Sequence, residues 1–121
     1  MEANAQAAGE QWVICLCAQW CGVCREWRAA FEQAALGHPQ ARFAWVDVED
    51  EAEAMGDVDI ETFPTLLVAA AGRPVFFGPV PPAAAGVQRL LASVLAPGAA
   101  PSGVTADVTA LFPRLATLLR N

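Results

Sequence analysis

The chain has 121 residues, enough for one compact domain and too few for two. Its formal net charge is −6 with a pI near 4.5, and its basic residues (Arg25, Arg28, Arg42, Arg73, Arg89, Arg114 and Arg120) are scattered, so a phosphate backbone would be repelled and nucleic-acid binding is set aside. No apolar run approaches the ~18 residues that span a bilayer, and the first eleven residues hold Glu2 and Glu10 with no basic residue and no apolar leader, so we expect no membrane partner and a cytoplasmic location.

Residues 1–10 read as a polar, alanine-rich tail ahead of a domain over 11–96. "WVICLC", 12–17, is a short continuous apolar run and is expected to be a strand buried on both faces. "QWCGVC" follows as a loop. From Cys24 the pattern turns helical, with Trp27, Phe31, Ala34 and Ala35 on one face, and it stops at Gly37 and Pro39. "RFAWVDV", 42–48, is the next buried strand. A helix between two such strands makes a βαβ unit with parallel strands. Beyond the acidic stretch "EDEAEAMGDVD", two apolar runs flank Ala71-Gly72-Arg73 as a hairpin, and 83–95 form a helix with Val87, Leu90, Leu91, Val94 and Leu95 on one face. Residues 97–104 read as a linker rich in Pro, Gly and Ala. Residues 105–121 form an amphipathic helix through Leu111, Leu115, Leu118 and Leu119, with Pro113 placed in its first turn. That leucine stripe either covers a bare face of the sheet or joins two copies as a weak homodimer.

The four cysteines, Cys15, Cys17, Cys21 and Cys24, fall within ten residues. From the residues alone the Cys21-x-x-Cys24 pair is open to three readings: a redox dithiol, an inert disulfide, or half of a zinc site. Zinc would need four converging ligands, whereas Cys15 and Cys17 alternate to one face of a strand and the single histidine, His38, falls in a helix-to-strand loop read as solvated. One such histidine cannot complete a Ser-His-Asp set either. A thiol at a strand-to-helix junction meets unpaired backbone N–H groups and the positive end of the helix dipole, which stabilise its thiolate, and Cys21 occupies that position. Cys24, one turn further in, is on the same side and within disulfide reach. Phe63-Pro64-Thr65 then opens the third main strand, where proline is unusual and a cis peptide would turn backbone groups toward the cysteine loop.

With "WCGVC" and "FPT" separated by a βα unit in a β-α-β-β-β-α order, residues 11–96 resemble the thioredoxin family. The resemblance implies a thioredoxin-like α/β fold and a protein-disulfide oxidoreductase without metal or bound cofactor. Cys21 would be the exposed nucleophile, Cys24 the resolving thiol and Trp20 their shield. Gly22, Val23, Phe63 and Pro64 would line the substrate contact, with Phe63 and Pro64 holding the substrate backbone in a short β-like pairing. It also implies disulfide-containing protein substrates and a flavin-dependent thioredoxin reductase fed by NADPH as partners.

The sequence also departs from the family pattern. The strand and helix that usually precede the buried strand are missing, so the sheet should be four-stranded. The family's buried acid, six residues before the first active-site cysteine, is Cys15 here, and the lysine paired with it is Trp45. Replacing both members of a buried pair avoids stranding a charge, so the loss should fall on catalysis rather than on folding. Cys24 should therefore lack a carboxylate base unless Asp47 or water substitutes. Val23 stands where reducing members carry proline, and Ala29 where a proline often kinks the helix. Cys15 is read as a small buried hydrophobe or as an accessory thiol beneath Cys24. Loss of the acid and lysine also keeps open a second reading: a non-catalytic interaction module or assembly chaperone on the same scaffold.

Overall fold

The computed structural model describes residues 10–120, so the expected tail over 1–10 lies almost wholly outside the described residues. Eight elements follow one another: β1 (Gln11–Cys17), α1 (Gly22–Leu36), β2 (Ala41–Asp47), α2 (Ala52–Met55), β3 (Thr65–Ala70), β4 (Arg73–Pro79), α3 (Ala84–Val94) and α4 (Ala106–Arg120). The strands form one four-stranded sheet in the order β2-β1-β3-β4. β1 runs parallel to β2, as a helical crossover requires, and antiparallel to β3. β3 and β4 form the expected hairpin, closed by Ala71 and Gly72, both at positive φ (55° and 81°). That two-residue geometry matches the twist of the flanking strands, so Arg73 belongs to β4 and not to the turn.

β1 is central, and its unbroken apolar run follows from burial on both faces. Trp12, Ile14 and Leu16 face one core with Leu67, Ala69, Val108, Leu111, Phe112 and Leu115. Val13, Cys15 and Cys17 face the other with Cys24, Trp27, Phe31, Val87 and Leu91. The second core lies under α1 and α3, the first under α4. The C-terminal stripe is thus spent on the chain's own sheet, where an additional strand and helix would otherwise be needed to cover Trp12, Ile14 and Leu16.

Pro113 is not in the first turn of α4 but in the middle of the helix. The helix starts earlier than the leucine spacing implies because Thr105 caps it: its Oγ1 accepts a hydrogen bond from the Val108 N–H at 3.2 Å. The proline removes one backbone donor there. Helical geometry is kept by the burial of Val108, Leu111, Phe112, Leu115 and Ala116, and the adjacent Ala110 carbonyl accepts from Arg114 Nη1 at 3.2 Å.

The connector before α4 is attached to the sheet. Ser102 bridges Phe76 in parallel, with the Phe77 N–H donating to the Ser102 carbonyl at 2.9 Å and the Ser102 N–H donating to the Val75 carbonyl at 3.1 Å. Gly103 follows at φ 74°, where a Cβ would overlap the Phe77 carbonyl. These bonds occupy the outer edge of β4, which would otherwise be an unpaired strand edge.

Since α4 supplies half of one core, Leu115→Ala should destabilise the domain by about 2–5 kcal/mol. Urea unfolding followed by tryptophan fluorescence checks this: a loss confined to α4, with the remainder unfolding at the wild-type midpoint, would show that the helix is only appended.

Candidate active site

The C-terminal end of β1, the start of α1 and the start of β3 meet at one end of the sheet, because Leu16 registers opposite Thr65 and Cys17 opposite Asp47. Chain turns from strand to helix across Ala18 to Cys21, closed by the Cys21 N–H donating to the Ala18 carbonyl at 3.0 Å. Cys21 is the N-cap of α1, with extended backbone (φ −81°, ψ 119°) and no capping bond from its side chain, so its sulfur is not engaged by the helix it begins. It is half-buried and carries a free thiol. Cys24, one turn on, is 1% exposed.

Trp20 is 62% exposed, and its indole N–H donates to Glu49 Oε2 at 2.8 Å. Its ring meets Phe63 edge-on, with centroids 5.8 Å apart. This joins the cysteine loop to the segment before β3, where the Phe63–Pro64 peptide is cis and Pro64 is fully buried. Val23 is exposed (45%), as is Gly22, so Trp20, Cys21, Gly22 and Val23 form one accessible rim with Phe63 at its side.

Asp47 holds this loop. Its Oδ2 accepts from the Gln19 N–H at 2.8 Å, and its Oδ1 from the N–H groups of Glu49 (2.9 Å) and Asp50 (3.1 Å). Desolvation pushes its carboxyl up, but the three N–H bonds together outweigh it and hold the group below the usual carboxylate range. A carboxylate so fixed is a weak proton acceptor. Asp47 therefore clamps the loop, and it lines the cleft beside Cys24.

The positions that departed from the family pattern are neighbours: Cys15 registers opposite Trp45 across β1 and β2. Trp45 packs against Phe31 and lies under the Arg28 guanidinium, 4.9 Å from the ring centroid. Burial pushes the Cys15 thiol up to about 12; the Trp27 N–H on its sulfur (3.4 Å) and the Arg28 charge oppose the shift only in part. Cys15 is not the thiol beneath Cys24. That place belongs to Cys17, which is bonded to Cys24 with Cα atoms 5.9 Å apart, while Cys15 lies behind it, Sγ to Sγ 3.6 Å. The oxidised pair in this structure is thus Cys17–Cys24, not the expected Cys21–Cys24. Motif spacing within the helix gives no sign of this contact. The alternation of β1 puts both Cys15 and Cys17 on the face that α1 covers, and the offset of strand end against helix start selects Cys17.

A cleft of about 360 Å³ lined by Ala18, Gln19, Cys24, Arg25, Arg28, Trp45, Asp47 and Asp50 lies beside the disulfide. Among the described residues no group of three or more His, Cys, Asp or Glu side chains is arranged to hold a metal ion. His38 lies at the far end of α1 as expected but is half-buried, its ring tilted against Phe43 with centroids 6.3 Å apart.

The thioredoxin family model matches residues 2–79. A Streptomyces coelicolor protein named "Putative thioredoxin 2" is 35% identical over 91 residues, covering 75% of this chain and 54% of that protein. Thioredoxin H-type of Oryza sativa subsp. indica is 36% identical over 64 residues, covering 53% and 52% respectively. The chain thus spans about half the length of these curated relatives. Among solved structures, Fasciola hepatica thioredoxin superimposes with a TM-score of 0.62 at 26% identity, covering 74% of this chain and 86% of that one. Oxidised Plasmodium falciparum thioredoxin shares the fold, with a TM-score of 0.61 at 22% identity over 78% of this chain and 91% of that one.

Two predictions follow from the electrostatics. A depressed carboxyl contributes stability above its unfolded value, near 3.9, and loses it as pH falls through the folded value. Urea midpoints of wild type and Asp47→Ala should therefore differ by a constant amount above about pH 5 and draw together as the pH falls into acid; a gap that persists there would assign the effect to packing. Native alkylation between roughly pH 7 and 9 should modify Cys21 and leave Cys15 unmodified, because the thiolate is the reacting species; peptide mass mapping reads the outcome.

Proposed function

Because the chain belongs to the thioredoxin family, we propose that it is a thiol–disulfide oxidoreductase that reduces protein disulfides, with Cys21 as nucleophile. The observation that carries this reading is the placement of Cys21: a free, solvent-reachable thiol at the N-cap of a 15-residue helix, with a buried cysteine one turn behind it. That position leaves the Cys21 sulfur at the head of the helix, free of any capping bond and open to a substrate disulfide. Cys21 attacks a substrate sulfur, releases the first substrate thiolate and forms a mixed disulfide. Cys24 then attacks Cys21, releasing the second substrate thiol and leaving a Cys21–Cys24 disulfide. Trp20, Gly22 and Val23 with Phe63 form the substrate rim over the buried Pro64, and the Trp20–Phe63 contact supports that assignment. Electrons for the next cycle would come from a thioredoxin reductase, which sets the protein in the reducing cytoplasm. With the α4 stripe buried on its own sheet, a monomer suffices for this chemistry.

Reduction of insulin by dithiothreitol tests the reading. Wild type should accelerate precipitation of the insulin chains, and Cys21→Ser should lower turnover by at least about 100-fold while the fold is retained. A folded wild type that gives no acceleration yet binds client proteins would instead favour the scaffold reading. The absent acid makes a second prediction. With no carboxylate to take the Cys24 proton, resolution of a Cys21 mixed disulfide should rise about tenfold per pH unit between roughly pH 6 and 8. Stopped-flow tryptophan fluorescence reads this rate, and a pH-independent rate near neutrality would mean that a base is present after all.

A further inference from the structure

Cys24 has two potential partners, and the structure shows it bonded to the one outside the Cys-x-x-Cys motif. Cys17 ends β1 on the face that α1 covers, and its Cα lies 5.9 Å from that of Cys24, within the ordinary range for a bridge. Cys21 packs against the same cluster from the solvent side and remains a free thiol. Cys17 is 0% exposed and Cys24 1%, so the bridge between them is out of reach of any macromolecular substrate. Behind it, the Trp27 indole N–H donates to Cys15 Sγ at 3.4 Å, and Cys15 Sγ lies 3.6 Å from Cys17 Sγ. With Cys17 oxidised, Cys15 holds the only proton between those two sulfurs, so its S–H donates to the Cys17 sulfur.

We infer that Cys17 is a third redox-active thiol, which takes over the disulfide formed at Cys21–Cys24 and returns Cys21 to its free state. The inference rests on the oxidoreductase reading, in which a substrate disulfide has already accepted two electrons and left as two thiols. Cys17 gives up its proton, and its thiolate attacks Cys24 Sγ. The Cys17–Cys24 bond forms, the Cys21–Cys24 bond breaks, and Cys21 leaves as a thiolate at the N-terminus of α1, where it takes up the proton that Cys17 gave up. One disulfide is lost and one gained, so no further oxidant or reductant is needed. Two features drive the exchange forward: the leaving sulfur departs within reach of water, and the buried pair becomes a neutral bridge. The oxidised domain then still presents a nucleophile. A second disulfide-containing substrate can be captured by Cys21 while Cys24 is engaged, and its release falls to the substrate's own thiol, which is a reshuffling rather than a reducing cycle.

The test is to oxidise the whole chain with a disulfide substrate, alkylate without reduction, and map the bridges by mass spectrometry. Wild type should carry a Cys17–Cys24 bridge with Cys21 alkylated. Cys17→Ala should carry Cys21–Cys24 with Cys21 protected, and Cys21→Ala equilibrated with glutathione should still close Cys17–Cys24. A wild-type Cys21–Cys24 bridge, or a folded Cys21→Ala variant that forms only mixed glutathione disulfides, overturns the inference. Insulin reduction by Cys17→Ala separates the two claims. Turnover by this variant, together with a wild-type Cys21–Cys24 bridge, removes the third thiol and leaves the oxidoreductase standing. A wild-type Cys17–Cys24 bridge without any insulin turnover leaves the exchange and removes the reductase activity.

Discussion

The structure depends on a single strand that must be covered on both faces. β1 alternates Trp12, Ile14 and Leu16 against Val13, Cys15 and Cys17, and each set needs its own layer of helix. One layer is α1 with α3, which brings the cysteine-bearing helix down onto the cysteine-bearing face. The other is α4, recruited from the far end of the chain. Without α4, Trp12 and Ile14 would face water; with it, the strand is central and the loop after Cys17 is fixed at its end. The site's geometry is thus a consequence of burying β1, and the loop needs only local fastening by Asp47 and by the Trp20 to Glu49 bond.

Much of this was legible in the residues because it rests on local signals. The apolar run of β1, the 3.6-residue spacing of Trp27, Phe31 and Ala34, and the Ala71-Gly72 turn each carry their own instruction, and a crossover helix leaves little choice of topology. The four-stranded sheet expected from the resemblance is also what the described residues form. What was not legible lies where distant segments meet. Nothing around Ser102 marks it as a partner of Phe76, because a bridge to a strand edge depends on backbone groups that every residue carries. The glycine at 103 was a hint, read as linker composition, whereas its positive φ and lack of a Cβ are what let the chain approach the Phe77 carbonyl. Pro113 misled for a related reason. A proline is a local helix-breaking signal, and here tertiary burial of Leu111, Phe112 and Leu115 overrides it once Thr105 has set the start.

The cysteines show the same division. The placement of Cys21 at the head of a helix could be read from the sequence, since it depends only on where strand gives way to helix. Which sulfur lies beneath Cys24 could not, because that is a question of how a strand end and a helix start are offset across the interface. One residue decides it: Cys17 is at the end of β1 and Cys15 two residues back, so the helix that starts five residues beyond Cys17 reaches the nearer of the two.

The loss of the buried acid and lysine has a structural counterpart in this arrangement. A charged pair inside the domain would have to be solvated by its own partners, at a desolvation cost that only good geometry offsets. Cys15 and Trp45 remove that requirement, and the freed volume is filled by groups that are polarisable but neutral. A row of contacts remains, from the Trp27 indole through Cys15 to Cys17 and Cys24, and each of its members can accept or donate without carrying charge at neutral pH. Such a row cannot serve as a general base, because burial keeps Cys15 protonated up to about 12. It can hold a disulfide in a dry environment, where a buried thiolate would be costly and a neutral bridge is not. With Cys15 and Trp45 in place of a charged pair, the core is a place where an oxidised sulfur pair is well accommodated.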